Sequence, residues 1–313
     1  MRIVYFAKGR RGLICLKAIL AGGISINMIV LQPGDSFTGE FSAVAEACGA
    51  EVFVPEDPNA TSAIKVLTIQ EADVFVLAGY GLILKEQCIA IPNKCCINLH
   101  GGRLPQYRGS SPMNWALINN ESIIGISIIE VDHGIDTGPV LAQEQLEVDP
   151  DTTITDLHDW ANQKFPEMLI NVIQDISNNK LCRNIQDDSK ACYYPRRFPD
   201  DGMVLWDQLS ALQVHNLIRG LTKPYPCAYT YYGKRRVRLV ASKIPKIPLR
   251  GEPGRVYRKK EGSLLVGASD QAIWITKADF VDDESPLFDI VELYDFLATV
   301  RQASINFCHH FPE

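Results

Sequence analysis

The chain has 313 residues, 46% of them hydrophobic, and a formal net charge of -6, which excludes a disordered chain and leaves room for two domains or one large one. Its nine cysteines are scattered without a CxxC pair and its six histidines without an HxxxH pattern, so neither a disulfide framework nor a metal centre is expected. The net negative charge gives little general attraction for a polyanion, so no nucleic-acid partner is expected on that ground.

The first twenty residues are interrupted by Lys8, Arg10, Arg11 and Lys17, unlike the apolar stretch of a secretory leader. No run of about 18 uncharged apolar residues follows. The expectation is a cytoplasmic protein without a membrane partner. Residues 2–6 (RIVYF) read as a first strand, and residues 7–12 (AKGRRG) as a tight loop opening a helix over 13–20. That is how a doubly wound sheet begins, although Gly9 and Gly12 alone do not make a GxGxxG pattern. With Lys8, Arg10 and Arg11, the turn has two readings, an anion site at the helix amino terminus or a solvated basic turn.

A second strand is expected over 26–32, a helix over 41–48, a third strand over 51–54, a helix over 61–70 and a fourth strand over 72–78. The apolar turn Tyr80, Gly81, Leu82, Ile83, Leu84 comes next, then a fifth strand over 95–100. A helix over 112–118 with Pro in its first turn, a β-branched strand over 124–131 and a long helix over 156–178 complete residues 1–186. Strands separated by helices imply parallel βαβ units with right-handed crossovers, an α/β, Rossmann-like doubly wound sheet.

Two loops in this region carry the polar groups. Asn98 and His100 stand two residues apart on the fifth strand, so the strand period turns both side chains the same way. Gly101 and Gly102 then let the backbone turn sharply and a ligand approach it. The strand over 124–131 ends in a second polar loop, Asp132 to Gly138. Active groups in an open α/β sheet collect at the carboxyl ends of strands, and Asn98, His100 and Asp136 satisfy that rule.

Residues 187–202 lack periodicity and read as a junction. Residues 203–313 start with a helix over 209–221 and continue as short strands over 228–232, 236–242, 254–257, 263–267 and 272–276, spacing that suggests a small barrel. Charge is uneven here: residues 234–260 hold eleven Lys and Arg against Glu252 alone, and residues 279–295 hold seven acids. Those acids either pair with the basic segment or leave it free for a polyanion.

Four motifs in order, N-x-H-G, L-P-x-Y-R-G, P-x-N-W-A and D-x-G-x-D-T-G, resemble the catalytic core of the methionyl-tRNA formyltransferase superfamily. Within it the chain looks most like the nucleotide-sugar N-formyltransferases, because of the spacing around Trp206 to Ala228 and the short loop after Gln32 without Lys or Arg. The resemblance implies an OB-like β-barrel for the second domain and a homodimer. It also implies transfer of a formyl group from N10-formyltetrahydrofolate, without a metal, to the primary amine of a nucleotide-linked amino sugar, a dTDP- or UDP-bound 4-amino-4,6-dideoxyhexose. The alternative is a methionyl-tRNA formyltransferase. On this reading Asn98 donates to the developing oxyanion, His100 takes a proton and Asp136 orients His100. The pterin is expected at Tyr80, Gly81, Leu82, Ile83 and Leu84 and at Asp132 and Ile135. Acceptor contacts are expected from Gly102, Arg108, Arg196 and Tyr225, with Arg108 serving equally well as a brace for its own loop.

Overall fold

In the computed structural model, which describes residues 1–298, the chain opens as β1 (Ile3–Ala7), α1 (Gly9–Ala21), β2 (Met28–Leu31), α2 (Thr38–Cys48), β3 (Glu51–Phe53), α3 (Thr61–Ile69), β4 (Val74–Ala78), the short α4 (Glu86–Ile89) and β5 (Cys95–His100). Every residue of β1, β2 and β4 is buried. Unbroken apolar runs of this kind belong to central parallel strands covered on both faces. The register bears this out, with β1 parallel to β2 and β4, and β4 parallel to β5. At Gly12 a Cβ would lie 2.8 Å from the Ala78 carbonyl oxygen, so only glycine lets α1 settle this close to β4.

After β5 the chain forms β6 (Arg108–Gly109), α5 (Pro112–Ile118), β7 (Ile123–Glu130), β8 (Val140–Glu147), α6 (Ile154–Ser177) and β9 (Tyr193–Tyr194). The seven-stranded sheet runs β3-β2-β1-β4-β5-β7-β8. Here the all-parallel expectation needs correction, because β7 pairs antiparallel with β5. The sequence pattern also misses β8: its residues, VLAQEQLE, are half-buried or exposed at the sheet edge and lack the apolar run that marks the other strands.

The chain divides into two compact units. The first comprises Met1–Pro112, Ile123–Leu146 and His158–Pro195; the second comprises Met113–Ser122, Glu147–Leu157 and the residues from Arg196 onward. Tyr193 and Tyr194, expected in a junction, therefore count with the first unit, where β9 pairs in parallel with β6.

In the second unit α7 (Ala211–Leu221) starts from a reciprocal cap between Ser210 and Gln213, the S-x-x-Q box that satisfies two amino-terminal donors. The strands β10 (Ala228–Tyr232), β11 (Arg235–Lys243), β12 (Val256–Lys260), β13 (Ser263–Gly267) and β14 (Ala272–Phe280) follow, then the short α8 (Leu287–Ile290). Trp206, Val214, Ile218, Leu264, Ile273 and Phe280 are central to their core. The expected OB-like barrel is replaced by an antiparallel sheet of order β10-β11-β14-β13-β12, in which no pairing among the described residues joins β10 to β12. Residues 294–298 bond instead to both margins, Tyr294 N to the Val256 carbonyl, Leu297 N to Gly254 and Ala298 N to Tyr231, each at 2.8 Å, which shields open edges.

The acids of residues 279–295 do pair with the basic segment. Arg235 bonds to Asp282 and Asp283 at 2.7 and 2.8 Å, and Arg238 to Asp279 and Glu284 at 2.6 and 3.2 Å. Lys234, Lys243, Lys246, Arg250, Arg258 and Lys260 stay exposed. Among the described residues no helix is long and apolar enough to cross a membrane.

Candidate active site

Asn98 and His100 occupy the carboxyl end of β5, where Asn98 lies opposite Leu77 on β4 and Ile129 on β7, and His100 opposite Ser127. Strand alternation puts both side chains on one face. His100 is buried. Its Nε2 donates to the Tyr107 carbonyl at 2.6 Å, and since a carbonyl only accepts, Nε2 carries a proton. Nδ1 lies 3.4 Å from the Asp136 carboxylate. That same carboxylate accepts from Gly109 N at 2.9 Å. The amide of half-buried Asn98 has no hydrogen-bond partner among the described residues, which leaves its donors for a ligand.

Gly102 is packed under this pair. A Cβ there would lie 2.6 Å from His100 Nε2 and 2.5 Å from the Tyr107 carbonyl oxygen, so the absence of a side chain makes room for their hydrogen bond. Its own carbonyl accepts from Ser127 Oγ at 2.8 Å. Asp132 shapes the neighbouring loop. Its Oδ1 accepts from Gly134 N at 3.0 Å and Thr137 Oγ1 at 2.5 Å, closing the turn that presents Asp136. On that loop Ile135 is 54% exposed.

The turn of residues 80–84 follows β4, the neighbour of β5, and so stands at the same end of the sheet. Gly81 N donates to Gln32 Oε1 at 3.2 Å, and the Ile83 carbonyl accepts from Asn59 Nδ2 at 2.9 Å. Leu84 is buried, Leu82 half-buried, and Ile83 is 72% exposed. Tyr80 meets Phe6 edge-on at 5.2 Å, and burial pushes its phenol up to about 12. Its hydroxyl is buried with no hydrogen-bond partner among the described residues.

Arg108 turns inward, 3% exposed. Its Nε and Nη2 donate to Gln186 Oε1 at 3.1 and 3.0 Å, Nη1 to Tyr193 at 3.2 Å, and Nη2 to Asp188 at 2.7 Å. Of the two roles open to this arginine, the geometry matches the brace. Gln186, which the sequence did not flag, continues the chain of bonds, donating from Nε2 to the carbonyls of Asp136 and Gly138 at 2.8 and 2.7 Å. No local pattern marks such a residue. Arg196 and Tyr225 belong to the second unit, Arg196 over the Phe198 ring at 5.7 Å and Tyr225 in the turn that follows α7, its N donating to the Thr222 carbonyl at 3.2 Å.

Of the two readings of the first turn, the structure favours the one without an anion. Gly9 N donates to the Asp35 carboxylate at 2.9 Å, Arg11 bonds to Asn162 and His158 on α6, and Arg10 lies 3.7 Å from Asp159. Burial raises the thiols of Cys15 and Cys88 to about 12 and of Cys95 to about 11, which makes them inert packing groups. Among the described residues no group of three or more His, Cys, Asp or Glu is placed to hold a metal ion.

Residues 32–173 match the formyl transferase family, and residues 198–284 match the formyl transferase C-terminal domain. The methionyl-tRNA formyltransferase of Thermodesulfovibrio yellowstonii is 31% identical over 275 residues, covering 86% of this chain and 87% of that protein. That of Caldanaerobacter subterraneus is 32% identical over 283 residues, covering 88% and 91%. Among solved structures, the N-formyltransferase of Helicobacter canadensis in complex with folinic acid and dTDP-3-aminofucose aligns with a TM-score of 0.67 and 19% identity over 88% of this chain and 98% of that one, a likeness of fold.

These relatives overturn the nucleotide-sugar acceptor expected from the motifs. The spacing from Trp206 to Ala228 that suggested it proves to be core architecture. Trp206 is fully buried with its indole N–H on Thr230 at 2.9 Å, Arg219 bonds to Asn216 and to the Asp149 and Thr152 carbonyls, and Thr222 bonds to the Val240 carbonyl. Such residues hold the second unit together whichever acceptor is used. The chain belongs to the formyl transferase family and is an enzyme that transfers a formyl group from formyl-tetrahydrofolate.

Proposed function

We propose that the protein formylates the amino group of methionyl-tRNA, using N10-formyltetrahydrofolate, at Asn98, His100 and Asp136. The observation that carries the acceptor is the identity of 31–32% with methionyl-tRNA formyltransferases along most of both chains. The amine attacks the formyl carbon, whose oxygen gains charge. Asn98 donates to that oxygen, a contact worth on the order of 3 kcal/mol of barrier. His100 Nε2 is already protonated against Tyr107, so Nδ1 is the nitrogen that exchanges the proton released by the amine, and the Asp136 carboxylate stabilises the imidazolium. As the tetrahedral intermediate collapses, the bond from the formyl carbon to the folate nitrogen breaks and that nitrogen takes up the proton.

The turn of residues 80–84 and the loop of residues 132–136 flank β5 and hold the pterin, with Ile83 and Ile135 as exposed apolar contacts. Gly102 and Arg108 shape the site from beneath, and Arg196 and Tyr225 contact the acceptor. Since the loop after Gln32 carries no cation, phosphate contacts come from exposed Lys and Arg of the second unit. The test is mass spectrometry for formyl gain on methionyl-tRNA and, in parallel, on amino-sugar nucleotides. Formyl-methionyl-tRNA is expected; product only on a sugar nucleotide would overturn the acceptor.

A further inference from the structure

We infer that Gln186 is a positioning residue that sets Asp136 against His100, an inference that rests on the role proposed above for Asp136. Asp136 has a backbone φ of 55°, in the left-handed region that residues with a side chain rarely adopt, so the loop needs an external hold. Gln186 supplies it from a distant part of the sequence. The two N–H groups of its amide meet the carbonyls of Asp136 and Gly138, at 2.8 and 2.7 Å, and tie the two ends of the turn together. Its oxygen is fixed in turn by the Arg108 guanidinium at 3.0 and 3.1 Å.

The arrangement closes on itself. Arg108 precedes Gly109 on β6, and Gly109 N is the donor to the Asp136 carboxylate. Backbone and side chain of Asp136 are thus held by two neighbouring residues, one directly and one through Gln186. Only a carboxamide of this length offers two donors and one acceptor here: Glu has no donor when ionised, Lys no acceptor, and Asn is one carbon short. Replacing Gln186 releases the turn, and Asp136 leaves the imidazole.

The test compares Gln186→Glu, Asp136→Asn and the double variant for formylation of methionyl-tRNA. Gln186→Glu is expected to lower kcat by about ten- to a hundredfold with the melting temperature close to wild type. In the Asp136→Asn background it adds nothing, because both act on one contact. Gln186→Met, which removes the bonds without adding a charge, replaces Gln186→Glu in the cycle if that variant does not fold. An acceptor-independent readout is the nitrogen NMR signals of the His100 ring in the free protein, which shift in Gln186→Glu as they do in Asp136→Asn. Losses that multiply in the double variant, or wild-type kcat and an unmoved His100 ring in both Gln186 variants, would overturn the inference. Wild-type kcat in Asp136→Asn overturns the mechanism itself and is distinguished by that single variant.

Discussion

Position 102 cannot carry a side chain without displacing His100 or the Tyr107 carbonyl. Gly102→Ala therefore loses activity beyond its loss of stability: kcat is expected to drop at least about tenfold, with overpacking costing about 1–3 kcal/mol, read by steady-state kinetics beside thermal melts. Asn98→Ala, His100→Ala and Asp136→Ala should each lower kcat by about a hundredfold or more while the melting temperature holds, as befits groups that act mainly on the transition state. A near-normal rate for any one of them removes that residue from the mechanism.

Between elements, the contact of α1 with α6 makes stability depend on pH. His158 on α6 is pushed down to about 4, first by burial and then by Arg11, whose Nη2 donates to His158 Nδ1 at 2.9 Å. Burial lowers His215 on α7 as well. A histidine held neutral in the folded protein takes its proton only on unfolding. Its contribution is therefore intact above the ordinary value of 6.5 and is lost as pH falls from there towards 4. The melting temperature should fall between pH 7 and pH 5, and fall less in His158→Gln. A difference of a few degrees corresponds to on the order of 1 kcal/mol. Identical pH profiles for the two proteins would show that this histidine does not govern the acid limb.

For the whole molecule the decisive quantity is how charge is displayed. The net charge of -6 argues against a polyanion in general, yet the second unit keeps Lys243, Lys246 and Arg250 exposed after its acids have neutralised Arg235 and Arg238. The triple variant Lys243→Glu, Lys246→Glu, Arg250→Glu should raise KM for methionyl-tRNA at least about tenfold, leave KM for the folate unchanged and flatten the salt dependence of the tRNA affinity. An unaltered KM for tRNA would move the phosphate contacts elsewhere.

The strands β1, β2, β4 and β5, the pairing of Asn98 with His100 on one face and the turn chemistry of residues 132–138 could be read from the sequence, because each depends on neighbours a few positions away. Period-two alternation and apolar runs leave a local trace. The direction of β7, the edge strand β8 and the open sheet of the second unit left none, since strand partners are set by connections and by distant backbone. The brace between Arg108 and Gln186 joins side chains 78 residues apart, and Arg235 meets Asp282 across 47. Only the fold decided that Arg108 faces inward and that Trp206, Arg219 and Thr222 of the apparent acceptor pattern serve the core, because a hydrogen bond across such a separation depends on where folding brings the two groups, and no periodicity in the sequence encodes that.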